Sequence, residues 1–233
     1  MIDISENIKY LRESIDQAAV KAGRDPAQVK MMAVTKTQPT GLVNQAIAAG
    51  ITLLGESRAQ ELNEKYDEYD LHKDLELHFI GHLQTNKVKT VVGKVNMIQS
   101  VDSLRLASEI SKQSAKLAIS TDLLLEINVA EEESKSGVAP HLAEEIIRQI
   151  ALLPHIKLRG LMAIPPIWRK SGGNERFFAQ MGEKIVDIRA KKIDNVSMEI
   201  LSMGMSDDFA VAIKHGSTLV RLGTAIFGQR HYG

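Results

Sequence analysis

Cysteine is absent from the 233-residue chain, which excludes disulfides, thiolate nucleophiles and the cysteine-rich classes of zinc and iron–sulfur site. Charge bias is absent as well: 29 basic side chains stand against 29 acidic ones, so no net field draws the chain to nucleic acid or to anionic lipid. No apolar run approaches the roughly 20 residues needed to cross a bilayer. The N-terminal stretch MIDISENIKYLRESIDQAAVKAG lacks a basic start followed by an apolar block, the mark of a secretory leader. The expectation is a soluble, cytoplasmic protein whose partner is a small molecule.

What is present is a repeating alternation. Short apolar runs with few charges recur at KMMAVTK (30–36), ITLLGES (51–57), LHFIGH (77–82), NMIQSV (96–101), DLLLEINV (122–129), LRGLMAI (158–164), MEILSMG (198–204) and TLVRLG (218–223). Amphipathic stretches lie between them at 39–49, 58–69, 84–92, 103–118, 140–152, 174–192 and 206–215. Gly50, Gly93 and Gly216 follow three of these, where a left-handed residue closes a helix. An opening helix is read over 5–22, with Ile8, Leu11, Ile15, Ala18 and Ala19 at helical spacing and Gly23 as its stop.

Eight strand–helix units with near-continuous apolar strands predict a parallel sheet covered on both sides. We expect an α/β fold, a single (β/α)₈ TIM barrel over 1–233, with the extra N-terminal helix filling the place of a missing last one. A doubly wound open sheet is the alternative, but the Gly-rich turn after the first strand is absent. SGGNER near 171 and AEEESKSG near 130 read as long loops over the active face.

In such barrels chemistry sits at the C-terminal strand ends. Lys36 ends the first strand at period two from Met32 and Val34, so the alternation aims it inward at the mouth. One reading is a solvated strand-end lysine. The other is an amine nucleophile, its pKa lowered by desolvation, that condenses with an aldehyde. On the last strand Leu219, Arg221 and Gly223 share a face, and a guanidinium turned inward must find an acceptor because it cannot shed its proton. Gly223 lets backbone approach a ligand, Thr224 adds a hydroxyl, and SMGMSDDFA places Ser206 at the start of a helix, either as a cap or beside an anion. A phosphate commonly lies after strands 7 and 8. An amine, a phosphate cradle and an arginine describe a pocket for a phosphorylated aldehyde, of which pyridoxal 5′-phosphate is the obvious candidate. His78 and His82 lack a carboxylate to complete a metal set and are read as core or pocket hydrogen-bonding groups.

The segments AVTKTQP, GESRAQEL, HFIGHLQTNK, SVDS, EINVAEEESKSGV, LRGLMAI and LSMGMSDDFAVAIKHGSTLVRLGTAIFG resemble the signature stretches of the pyridoxal phosphate homeostasis proteins, the YggS/PROSC family, from about Met31 to the C-terminus. The resemblance implies an alanine-racemase-type (fold type III) barrel carrying the cofactor as an internal aldimine on Lys36. By motif, Ser206, Gly223 and Thr224 would hold the phosphate, Arg221 would face the pyridine nitrogen, and Met203 would lie near the ring. Ser57 stands where the family has asparagine beside the cofactor.

A permanent cation beside the pyridine nitrogen disfavours its protonation and weakens the ring as an electron sink. The implied role is intracellular vitamin B6 homeostasis by a monomer that supplies cofactor to apo-enzymes, without robust turnover. The alternatives are a pyridoxal-phosphate-dependent amino-acid racemase or lyase, and a lysine Schiff-base aldolase without cofactor. Racemases of this type add a β-domain and a partner's tyrosine, for which the length leaves no room; Tyr232 is the single tyrosine near the C-terminus.

Overall fold

Each apolar run becomes a strand, and no strand is left with an edge. In the computed structural model, which describes residues 3–132, 134–166 and 173–228, eight parallel strands close in sequence order into a barrel, the last pairing with the first. They are β1 (Lys30–Val34), β2 (Leu53–Glu56), β3 (Glu76–Phe79), β4 (Met97–Val101), β5 (Thr121–Ile127), β6 (Ile156–Ala163), β7 (Val196–Ser202) and β8 (Leu219–Leu222). The helices on the outside are α1 (Ile4–Lys21), α2 (Thr40–Ala48), α3 (Ala59–Lys65), α4 (Leu104–Lys116), α5 (Ala143–Ala151), α6 (Glu175–Ala190), α7 (Phe209–Lys214) and α8 (Thr224–Phe227).

Two of the expected helices differ in kind. The stretch expected as a helix over 84–92 is a 3₁₀ run, Thr85–Thr90, ended by Val91 before Gly93 turns left-handed. The segment 206–215 forms a helix only from Phe209. Asp208 bends back to accept from Met205 N at 2.7 Å, so Ser206 stays in the preceding turn and does not cap the helix. Part of the loop near 171, and Tyr232, lie outside the described residues.

The opening helix fills the missing eighth place. Asp3 caps it by accepting from Glu6 N at 3.0 Å, and Ile4, Ile8, Leu11, Ile15 and Ala19 form its buried stripe. It packs against α2, α7 and α8, because α8 is a single turn too short to cover the seam between β8 and β1. Asn7 Nδ2 donates to Ile226 O at 2.9 Å, and Arg24 donates to Ile213 O and Ser217 O at 2.9 and 2.6 Å. These bonds tie the chain's start to its last two helices.

The main core lies between the strands and the helices. Inside the barrel the apolar contacts shrink to two small groups, Met32, Leu53 and Leu219, and Met97, Leu124 and Met162. His78, Gln99, Glu126, Ser202 and Arg221 are buried polar residues from the strands themselves. No helix among the described residues is long and apolar enough to cross a membrane.

Because Ile15 is fully buried in the seam, Ile15→Ala should lower the unfolding free energy by about 2–5 kcal/mol, read from urea denaturation. A loss below about 1 kcal/mol, the scale of a peripheral contact, would mean that α1 is not part of the barrel wall.

Candidate functional site

A cavity of about 1030 Å³ opens at the C-terminal ends of the strands. Lys36, Ser57, Ser206, Arg221, Gly223 and Thr224 all line it, although they come from both ends of the chain. Closure of β8 onto β1, with Met32 opposite Arg221 and Ala33 opposite Leu222, brings the first strand's lysine beside the last strand's glycine loop. Met203 is the exception. It is fully buried in the main core, and Met205 faces the cavity instead.

Lys36 follows β1 by two residues and is half-buried. Both of its neighbours are pinned. Thr35 Oγ1 donates to the buried carboxylate oxygen Glu56 Oε1 at 2.6 Å, which also accepts from Tyr69 OH at 2.6 Å. Burial pushes the Glu56 carboxyl up from its ordinary value, against the Thr35 and Tyr69 hydrogen bonds and the nearby Lys65. Thr37 adopts φ 63°, a left-handed conformation that a β-branched residue rarely takes, and its N–H is held by Glu61 Oε1. Lys65 pairs with the same Glu61 and donates to Thr35 O at 3.3 Å. The side chain at 36 thus leaves from a backbone fixed on both sides, which favours a defined direction into the cavity.

Arg221 is the most deeply buried cation of the site, 4% exposed. Its guanidinium donates to Ser202 O at 2.8 Å, to Ser202 Oγ at 2.7 Å and to Ala163 O at 2.9 Å. Burial lowers its pKa to about 10, opposed by the charges of Glu126 and Asp208, so it remains a cation at neutral pH. No carboxylate among the described residues forms an ion pair with it.

Across the mouth, Thr224 Oγ1 donates to Ser206 Oγ at 3.3 Å. Gly204, at φ 92°, makes the turn that delivers Ser206, and a Cβ there would meet Ala212 Cβ at 2.6 Å. The two hydroxyls stand with the first N–H groups of α8, which lack intrahelical partners. Asp208 also lines the cavity, its carboxylate engaged by Met205 N and, at 3.0 Å, by Asn174 Nδ2. Two hydroxyls and a glycine loop that line one cavity with a lysine and an arginine suit an anionic group with an aldehyde at its other end.

Sequence reasoning missed several contributors. Gly81 packs so closely on the loop after β2 that a Cβ would lie 2.0 Å from Ser57 O, so glycine there sets where Ser57 sits. The Glu56–Tyr69 and Glu61–Lys65 pairs carried no signal beyond an acidic residue at a strand end. His82, read from the sequence as a core or pocket hydrogen-bonding group, does line the cavity and meets Ser136 Oγ at 3.2 Å and Asp102 Oδ2 at 3.5 Å, linking the loop near 130 to the rim. Among the described residues no three metal-ligating side chains converge.

The alanine racemase N-terminal domain family matches residues 4–231. The pyridoxal phosphate homeostasis protein of Aquifex aeolicus is 41% identical over 97% of this chain and 98% of its own length. That of Escherichia coli is 37% identical over 100% of this chain and 99% of its own. Among solved structures, PipY of Synechococcus elongatus with pyridoxal phosphate bound superposes with a TM-score of 0.84 at 30% identity, covering 97% of this chain and 100% of that one. Alanine racemase of Corynebacterium glutamicum has the same fold, with a TM-score of 0.73 at 16% identity, and this chain covers 97% of itself but 61% of that enzyme.

Glu126 lines the cavity with its carboxyl pushed up to about 7 by burial and by Asp102, opposed by Arg221. Since the folded state holds this proton more tightly than the unfolded chain, the contribution of this group to stability is full below about pH 4.5 and is lost as pH rises toward 7. In the cofactor-free protein, Glu126→Gln should abolish that part of the fall. The two stability curves should diverge by up to ~3 kcal/mol across the window, read as urea midpoints. Curves that stay parallel would place the carboxyl at an ordinary pKa.

Proposed function

The chain belongs to the alanine racemase N-terminal domain family, among the pyridoxal phosphate homeostasis proteins, and we propose that it binds pyridoxal 5′-phosphate as a homeostasis and carrier protein, not as an enzyme with robust turnover. One observation carries the site assignment: Lys36, Arg221, Ser206, Gly223 and Thr224 line one cavity. In this reading Lys36 is the Schiff-base lysine, and Ser206, Thr224 and the Gly223 backbone hold the phosphate. Arg221 is assigned to the pyridine nitrogen, and Ser57 to the ring's surroundings. The cofactor, when bound, supplies an aldehyde and an electron-withdrawing ring. The chain's own residues bind it, orient it and keep the nitrogen side of the ring beside a fixed positive charge.

That charge weighs against transamination and many decarboxylations, whereas racemisation survives it where a second acid or base stands on the opposite ring face. The carrier reading over the racemase rests on the match to the homeostasis relatives. Arg221 stays protonated in its buried site, so a proton on the pyridine nitrogen is disfavoured and carbanion chemistry with it. The chain matches its homeostasis relatives along nearly their whole length, but only 61% of an alanine racemase. Met203 is left without a cofactor contact in this assignment, being enclosed in the core. We place the protein in the cytoplasm as a single-domain monomer that hands cofactor to apo-enzymes, in keeping with its neutral charge balance and its match to bacterial homeostasis proteins.

Incubation with pyridoxal phosphate should produce an absorbance band that borohydride shifts, with the reduced adduct mapping to Lys36 by peptide mass. Lys36→Ala should lose the band while keeping its circular dichroism; an adduct mapped to another lysine would remove Lys36 from the role. Ser57→Asn restores the residue the family resemblance calls for. It should bind the cofactor with equal or tighter dissociation constant, whereas marked weakening would show a pocket shaped around serine.

A further inference from the structure

Arg221 is a buried cation with no ion pair among the described residues, and a carboxylate lies at the other end of the line of side chains it begins. Ser202 Oγ, which accepts from Arg221 Nη1 at 2.7 Å, stands 2.7 Å from Gln99 Oε1. Gln99 Nε2 lies 2.9 Å from His78 Nδ1, and His78 Nε2 lies 3.1 Å from Glu76 Oε2. Glu76 Oε1 accepts from Lys30 Nζ at 2.8 Å at the opposite, N-terminal face of the barrel. Ser202, Gln99 and His78 are each at most 1% exposed, whereas Glu76 reaches solvent.

The two ends fix the direction of every bond between them. A guanidinium can only donate, so Ser202 Oγ accepts and must give its single proton to Gln99 Oε1. The Gln99 amide then donates to His78 Nδ1, leaving His78 Nε2 as the protonated nitrogen that donates to a carboxylate, which can only accept. Four bonds point the same way, from cation to anion, through three neutral side chains. Hydrogen bonds in such a row polarise one another in a medium of low dielectric.

We infer that Ser202, Gln99 and His78 form a polarised relay along the barrel interior that positions Arg221 and couples its charge to Glu76 on the far face. All three are positioning residues, and the inference rests on the reading of the cavity as a cofactor site. The groups that face His78 from neighbouring elements are Glu76 on its own strand, Lys30 on β1, Gln99 on β4 and Asp122 on β5. Burial holds His78 below its usual pKa, against Glu76, which keeps the ring neutral as the relay requires. The His78 hydrogen bond, foremost, with Lys30 holds Glu76 down at about 2 despite burial, so the anionic end persists through the physiological range.

The test is a double-mutant cycle on the pH titration of the bound cofactor's absorbance, with nitrogen-15 NMR of the His78 ring in cofactor-free protein alongside. Glu76→Gln removes the distant anion, leaving the surroundings of Arg221 more positive, and should move the absorbance midpoint to lower pH. In a Gln99→Leu background the same change should produce a smaller shift or none, because the row is broken. A shift of equal size in both backgrounds, or no shift from Glu76→Gln in the wild-type background, would overturn the relay. The NMR arm needs neither cofactor nor the Gln99 variant: it should show Nε2 protonated and Nδ1 bare across neutral pH, and a protonated Nδ1 would reverse the bond order and sink the inference. A protein that never takes up pyridoxal phosphate would instead defeat the cavity reading, with the His78 ring still deciding the relay.

Discussion

A guanidinium sealed inside a barrel has to be satisfied by what surrounds it, because it cannot lose its proton and the idealised cost of an unpaired buried charge is tens of kcal/mol. Arg221 meets that requirement with strand ends. Ala163 and Ser202 are the last residues of β6 and β7, and their carbonyls turn to Arg221 where the ladder of the sheet stops. The arginine therefore sits at the one level of the barrel where carbonyls are available and a mouth begins. That level is where a ligand's ring could meet a fixed positive charge.

The rest of the site follows from closure. Pairing β8 with β1 puts the glycine loop after Leu222 next to the turn that carries Lys36, and the turn after β7 supplies Ser206 to Thr224. Lys36 itself is aimed by a second buried group, the Glu56 carboxyl with its Thr35 and Tyr69 donors, and by the Glu61–Lys65 pair that grips Thr37. The opposite face carries half-buried and exposed ion pairs, Lys30 with Glu76 and Arg159 with Asp122 and Glu199, in keeping with that end of a barrel serving stability. Between the two faces the interior is unusually polar for a barrel core, which the relay explains as a charge-compensating row.

Much of the fold was legible because each strand announces itself as a short apolar run and several helices end on glycine. The opening helix was legible as a helix, and its place in the seam followed from counting units. Helix type at Thr85–Thr90 was not, since a six-residue polar stretch has too little apolar periodicity to separate 3₁₀ from α. Six of the seven cofactor-site residues read from the sequence reach one cavity because strand-end positions converge in any closed barrel. Met203 does not, because the register of β7 turns it outward into the helix layer while Met205 faces the mouth. His78, Gln99 and Ser202 stand on three different strands, and nothing local in the sequence states that their side chains meet across the interior. That depends on strand tilt and register, which are properties of the whole barrel.

A crystal structure of the protein grown with pyridoxal phosphate is the decisive measurement. The account predicts continuous density from Lys36 Nζ to the cofactor, its phosphate against Ser206 and Thr224 and its ring nitrogen beside Arg221. Density that placed the phosphate on Arg221, or that left Lys36 unattached with the cofactor bound elsewhere on the barrel, would contradict it.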